Sequence, residues 1–156
     1  MLSVVTTLVQ ILAISLISLV AGSTFGIWQG YDPHGFSPAT FVEVHQGAVR
    51  GLNVLLPGIA MAGLVLTVVL AFMSRERPVA LSLYVIAIAG FIAGGVITRF
   101  ANQPINAQVM TWTTDALPPD WTALRDTWWH WHVVRMVVSV LTEVALIAAV
   151  FSQRSA

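Results

Sequence analysis

The chain has 156 residues, of which 57% are hydrophobic and only 9% are charged, and its formal net charge is zero. A soluble domain would carry about 25% charged residues, so composition indicates an integral membrane protein, and the length allows one small domain. The zero net charge argues against nucleic acid as a partner, and the absence of cysteine excludes disulfides and thiolate metal sites.

Four segments of the chain are long and apolar enough to form membrane-spanning helices, which need about 20 residues each. They cover residues 2–27, 52–73, 79–98 and 133–151. The sequence therefore predicts an all-α, integral membrane four-helix bundle that forms a single domain over residues 1–156. No Lys or Arg precedes the first segment, and its apolar run exceeds that of a signal peptide, so we expect this segment to be retained.

The second predicted span has a polar extension on its N-terminal side. Ser37 followed by Pro38 is typical of a helix start, so we expect this helix to begin well before its apolar segment. The polar residues of the extension recur at spacings of three and four and therefore share one helix face. They are Glu43, Gln46, Arg50 and Asn53. His45 lies beside this face, and Pro57 is positioned to kink the helix.

A polar segment follows the third predicted span. Pro104 should end or bend this helix, because proline has no amide hydrogen to donate. Asn102 and Asn106 lie on either side of it. Two interpretations of these asparagines stay open: they cap a turn, or they form the polar floor of a site.

The fourth predicted span also has a polar extension. Asp120 can cap its start, and from there polar and aromatic residues recur at spacings of four and three. They are Trp121, Arg125, Trp128, His132, Arg135 and Ser139. Thr142 and Glu143 prolong this face into the bilayer. We therefore expect helices two and four to extend beyond the bilayer on the same side.

These two polar faces would be costly in contact with lipid, so we expect them to face one another. The charge pairs predicted on this basis are Glu43 with Arg135 or Arg125, and Arg50 with Glu143. An inert ion-pair network and a functional site both stay open as interpretations, because structural networks of this kind are common.

The two long connections lie on the same side of the membrane in a four-span protein. All six tryptophans and all four histidines belong to that side, whereas a tryptophan belt normally occupies both interfaces. We expect this one-sided cluster to cap or line a pocket. If the arginines of the polar faces are discounted, Arg75, Arg77 and Arg154 place the termini in the cytoplasm and the cluster on the extracytoplasmic side.

An ordered set of motifs covers residues 102–135. Asn-x-Pro-x-Asn follows the third span, then come a Trp and Leu-Arg-x-x-Trp, and His-x-x-Arg opens the fourth span. The positions concerned are Asn102, Pro104, Asn106, Trp112, Leu124, Arg125, Trp128, His132 and Arg135. This set resembles the anthrone-oxygenase-like family of small four-helix membrane proteins. For some relatives, the resemblance implies oxidation of an electron-rich polycyclic phenol to a quinone by O₂, without a tightly bound organic cofactor.

The first functional hypothesis is a membrane-embedded oxygenase that acts on a lipid-soluble phenolic or quinone-type substrate. His132 would act as base, and Arg135 and Arg125 would stabilise the resulting anion. Trp128 would stack on the substrate. The other predicted substrate-binding residues are Asn102, Asn106, Gln46 and Arg50.

Two other hypotheses stay open. One is a redox protein that binds a metal or haem through His45 and His132, which come from two helices. The other is a non-enzymatic accessory protein, or one that binds lipid or quinone. The expected partners are the lipid bilayer and a hydrophobic aromatic small molecule. The cofactor is left undetermined, and a homo-oligomer is compatible with the sequence.

Overall fold

The computed structural model describes residues 4–153, so Arg154, one of the arginines used to predict orientation, lies outside the described residues. Six α-helices account for most of this part of the chain. They are α1 (Val4–Gly30), α2 (Pro38–Leu52), α3 (Leu55–Met73), α4 (Pro78–Ile97), α5 (Gln103–Val109) and α6 (Trp121–Ser152). A 3₁₀ turn at Pro33–Gly35 follows α1, and a π-helical turn at Thr98–Asn102 joins α4 to α5.

These helices form four columns that are long and apolar enough to cross a membrane. The columns are Val4–Gly35, Pro38–Met73, Pro78–Val109 and Trp121–Ser152. The predicted all-α, multi-pass membrane bundle is confirmed, including the long N-terminal extensions of the second and fourth columns. The third column is longer than its predicted span, because the helix continues past Arg99 to Val109.

The second column bends where α2 meets α3. The predicted start is confirmed, since the Ser37 hydroxyl accepts a hydrogen bond from the Thr40 amide at 3.2 Å. The break falls after Leu52, one turn before Pro57. Pro57 has no amide hydrogen to donate to the Asn53 carbonyl, so the helix loses its regular hydrogen bond at that level.

The third column does not end near Pro104, but passes through one π-helical turn between α4 and α5. Pro104 lies in the first turn of α5, directly after the π-helical turn, and it cannot donate to the carbonyl four residues earlier. The wider turn absorbs this loss, and such turns occur frequently at functional sites. The capped-turn interpretation was wrong, because Asn102 and Asn106 lie on the helical column and bind neighbouring helices.

Two buried clusters hold the columns together. One lies among α1, α3, α4 and α6 and consists of aliphatic residues with Tyr84 and Phe91. The other lies where α2, α5 and the first turns of α6 meet, and we call this part of the bundle the aromatic end. Its buried members are Tyr31, Phe41, Ile105, Val109 and Trp128. Between the two clusters α4 approaches α6 closely, since a Cβ at Gly90 would overlap the Thr142 hydroxyl.

Candidate functional site

A largely apolar cavity of about 300 Å³ lies between α1, α3, α4 and α6, and α2 and α5 line it at the aromatic end. Its wall is mostly hydrocarbon, but charged, amide and imidazole side chains gather at that end. They are His45, Asn53, Arg99, Gln103, Asn106 and Arg135. A concave apolar site with a few convergent polar groups is the usual form of a small-molecule site.

Asn106 joins three side chains at the aromatic end. Its Oδ1 accepts hydrogen bonds from the indole N–H of Trp128 at 2.8 Å and from Nε2 of His45 at 3.1 Å. Its Nδ2 donates to Oδ1 of Asn53 at 2.9 Å. Because an indole nitrogen can only donate, Trp128 fixes the orientation of the amide.

The amide in turn fixes the protonation of His45, whose side chain is only 1% exposed. Since Oδ1 of Asn106 can only accept, Nε2 of His45 carries the hydrogen. Nδ1 then holds the lone pair and accepts from the Tyr31 hydroxyl at 3.2 Å. His45 is therefore a neutral imidazole with both nitrogens hydrogen-bonded.

His132 is held in the same tautomer by different partners. Its Nε2 donates to the backbone carbonyl of Thr24 at 3.1 Å, which leaves the lone pair on Nδ1. That lone pair accepts from Nη2 of Arg135 at 3.1 Å. His132 is completely buried and is not part of the cavity wall, whereas Thr24 and Arg135 are.

Of the two cations on the cavity wall, Arg135 and Arg99, Arg135 is the less exposed. Its Nη1 donates to the Thr98 hydroxyl at 3.3 Å, and its Nε is buried with no hydrogen-bond partner within residues 4–153. Ion pairs in this part of the chain join His34 to Asp32 and Asp126, and Arg125 to Asp126. Arg135 is in none of them, so its charge has no carboxylate partner among the described residues.

Trp128 lies between the two buried histidines. Its ring is nearly parallel to that of His132, with an interplanar angle of 11° and centroids 5.2 Å apart. It meets His45 edge-on at 4.6 Å. All four imidazole nitrogens have other partners, and no group of three or more potential metal ligands forms within residues 4–153. The metal or haem site at His45 and His132 stays a prediction that this geometry does not favour.

Gln46 and Asn102 lie outside the cavity wall and join helices. Gln46 donates to the carbonyls of Val109 and Trp112 at 3.0 and 2.9 Å, which ties α2 to the end of α5. Asn102 is buried and donates to the carbonyl of Trp128 at 3.1 Å. Their predicted substrate contacts stay predictions, and their positions indicate a supporting role.

Arg125 and Arg50 also lie away from the cavity wall. Arg125 pairs with Asp126 at 2.8 Å, and its guanidinium stands 5.2 Å from the ring centroid of Trp121. Arg50 is exposed on α2. The structure therefore brings Trp128, Asn106, His45 and Arg135 together at the wall, with His132 directly behind Arg135.

The predicted ion pairs between helices two and four were wrong. Glu43 and Arg50 are both exposed, Arg135 binds a neutral imidazole and a hydroxyl, and Glu143 accepts a hydrogen bond from Ser18 on α1. The cause is the rotation of α2, which buries Phe41, Val42 and His45 in the aromatic cluster. Aromatic packing thus decides which face turns inward, and the charged side chains are left accessible to solvent.

Three contributing residues were missed by sequence reasoning. Tyr31 lies in the connection after α1, where no helical spacing marks it. Thr24 and Thr98 lie in or beside apolar segments, and their hydroxyls were the signal available. Thr98 lies in the π-helical turn and accepts a hydrogen bond from Arg135. Pro104 had predicted only an end or a bend of the helix there.

The model of the anthrone oxygenase family matches residues 47–145, well over half of the chain. The matched segment contains Asn53, Asn106, Trp128 and Arg135, that is, most of the polar part of the cavity wall. The chain belongs to the anthrone oxygenase family. The predicted resemblance is therefore confirmed. In this anthrone oxygenase family member, His45 precedes the matched segment and joins the same hydrogen-bond network.

No curated protein and no solved structure matches the chain.

Proposed function

We propose that this anthrone oxygenase family member uses O₂ to oxidise a lipid-soluble phenolic substrate held in the cavity. The observation that carries the proposal is Arg135, a partly buried guanidinium on the wall of a largely apolar cavity, with no carboxylate partner among residues 4–153. A fixed cation in a site of low dielectric stabilises negative charge as it develops on a bound molecule. Family membership supports oxygenase chemistry as the use of that charge.

The proposed reaction converts an activated CH₂ group of a phenolic ring system into a carbonyl. Loss of one proton from the CH₂ gives a delocalised anion, whose charge lies largely on the oxygen that Arg135 binds. The anion carbon forms a bond to O₂, and the removed proton returns to the distal oxygen to give a hydroperoxide. Loss of water leaves C=O. One CH₂ and one O₂ are consumed for one C=O and one H₂O, so no further reductant is required.

We assign the proton acceptor to His132. Its basic Nδ1 faces Arg135, which lies on the cavity wall. A substrate oxygen bound by Arg135 can therefore displace that hydrogen bond and free Nδ1 for the proton, and hydrogen bonds of this kind often rearrange when substrate binds. His45, unlike His132, lies on the wall itself, but its Nδ1 faces Tyr31, which is not part of the wall.

The assignment is tested with purified protein in lipid nanodiscs and a hydroxylated anthrone as substrate, by measuring O₂ uptake and quinone absorbance. His132→Asn keeps an acceptor for Arg135 near the position of Nδ1 but has no basic nitrogen. We expect turnover to fall at least about 100-fold, the usual contribution of a positioned base. His130→Asn, an exposed position on the same helix, should stay within about twofold, as surface substitutions usually do.

Empty nanodiscs give the rate of spontaneous oxidation, which is subtracted. Full turnover by His132→Asn would remove the base assignment and leave His132 as a residue that positions Arg135. Wild-type protein that shows no O₂ uptake above the empty nanodiscs would contradict the oxygenase proposal itself.

We also propose that the aromatic end faces the extracytoplasmic side. Arg75 and Arg77 lie in the short link between α3 and α4 at the opposite end, and positive charge favours the cytoplasm. The chain contains no cysteine, so single cysteines report the topology. A membrane-impermeant maleimide applied to intact cells should label Asp115→Cys and spare Glu76→Cys, both exposed positions. The reverse pattern would overturn this orientation.

A further inference from the structure

The cavity is longer than a fused three-ring aromatic requires. On α6 its wall runs from Trp128 to Thr142, and the rise of about 1.5 Å per residue makes this about 21 Å along the bundle. On α1 the wall runs from Ile17 to Ile27, about 15 Å on the same basis. The cavity is therefore elongated along the bundle, and we call it the channel.

The two ends of this channel differ in chemistry. The aromatic end carries Arg135 and the amide of Asn106, whereas Leu64 and Phe91 line the deep end. Thr142 also lines the deep end, but its hydroxyl donates to the Val138 carbonyl at 2.7 Å. The deep end is therefore suited to hydrocarbon, while the aromatic end is suited to a group that carries oxygen.

Met61 on α3 and Gly95 on α4 both line the cavity and are exposed, Met61 by 59%. Their exposure indicates an opening of the channel between α3 and α4. Large hydrophobic side chains surround this opening on α3, for example Val65 and Val68. A molecule dissolved in the bilayer can therefore reach the channel without crossing water.

We propose that the substrate is a tailed amphiphile: an aromatic, oxygen-bearing head bound at Arg135 and Asn106, and an alkyl or isoprenoid tail that reaches Leu64 and Phe91. This inference rests on the proposed function, since the head is the phenol oxidised there. A tailless three-ring compound would leave the deep end unfilled, and apolar walls without a partner lose their dispersion contacts. A tail fills that space.

The test measures the affinity of full-length protein, in nanodiscs of constant composition, for two naphthols with the same ring system. One naphthol bears a methyl group and the other bears an octyl chain. Leu64→Trp fills the deep end, and Val65→Trp, the next residue on the same helix and 54% exposed, is the matched control. Leu64→Trp should weaken binding of the octyl compound about tenfold or more, the effect of 1–3 kcal/mol of overpacking. It should leave the methyl compound unchanged, and Val65→Trp should change neither.

Equal effects of Leu64→Trp on both naphthols, or no effect on either, would overturn the proposal. If Leu64→Trp does not fold and therefore binds neither naphthol, the test uses wild-type protein. Its ligand is then an octyl naphthol with a diazirine at the end of the chain. Photolabelling should then modify the deep wall at Leu64 or Phe91, and labelling confined to the lipid-facing Val65 would be contrary evidence. These measurements record binding without turnover, so their failure is distinguishable from failure of the oxidation assay.

Discussion

Two buried polar networks hold opposite ends of the bundle, and each is organised around one amide. At the aromatic end Asn106 joins α5 to α2 and α6 through His45, Asn53 and Trp128. At the other end Gln153 donates to Ser74 and Tyr84 at 2.9 Å and accepts from Gln10 on α1.

The two networks differ in what borders them. Asn106 and its partners His45 and Trp128 line the cavity, whereas none of the residues around Gln153 does. Both satisfy buried polar groups in an apolar environment, and each contributes to stability in that way. A buried polar network is therefore insufficient evidence of a functional site. The further evidence is the adjoining cavity with Arg135, which has no carboxylate partner among residues 4–153.

The sharpest test of this difference is Arg135→Gln. The substitution keeps a hydrogen-bonding side chain but removes the charge next to the developing anion, so turnover should fall about 100-fold or more. Steady-state oxidation of the hydroxylated anthrone measures it. Arg75→Gln changes an exposed arginine at the other end and should leave turnover within about twofold. Turnover retained by Arg135→Gln would show that the cavity at the aromatic end does not serve anion stabilisation.

The next largest effect is expected from Asn106→Leu, which removes the central amide of the network at the aromatic end. The indole N–H of Trp128 and the imidazole N–H of His45 would lose their acceptor. The free energy of unfolding should fall by about 3 kcal/mol, the scale of buried donors left unsatisfied. Denaturant titration in micelles, followed by circular dichroism, measures it. A loss under about 0.5 kcal/mol, the level of a surface substitution, would mean that the network does not stabilise the fold.

Gln153→Leu makes the same kind of change in the network at the opposite end. We expect a loss of about 2 kcal/mol, because the hydroxyls of Ser74 and Tyr84 can reorient. Arg77, which donates to Oε1 of Gln153 at 3.4 Å, is exposed and can bind water instead. Turnover per folded molecule should stay within about twofold of wild type, since the network borders no part of the cavity wall. A large loss of turnover in folded protein would break the distinction between the two networks.

The smallest effect concerns two glycines of α4. A Cβ at Gly90 would overlap the Thr142 hydroxyl, whereas the nearest atom to a Cβ at Gly94 is 4.0 Å away on Val138. Gly90→Ala should cost about 1–2 kcal/mol by overpacking, and Gly94→Ala should stay within about 0.5 kcal/mol. The same titration compares them. Adding Thr142→Ala should restore part of the Gly90→Ala loss, and equal losses for the two glycines would contradict the close approach at Gly90.

The order of the helices could be predicted from the sequence because it depends on local properties. Apolar length defined the four spans, Ser37 marked the start of α2, and the spacing from Trp121 to Ser139 marked the inward face of α6. The motif from Asn102 to Arg135 indicated the family. Each of these signals is contained in one stretch of chain, so no knowledge of neighbouring helices is needed to interpret it.

The partners of the polar side chains were decided by the tertiary structure. The sequence placed Glu43 and Arg50 inward and His45 to one side, while the folded chain does the reverse. The rotation of a helix about its axis depends on packing against distant residues, here Tyr31 and Trp128 in the aromatic cluster. Helix periodicity shows which residues share a face, but the neighbour that buries the most apolar surface decides where that face points.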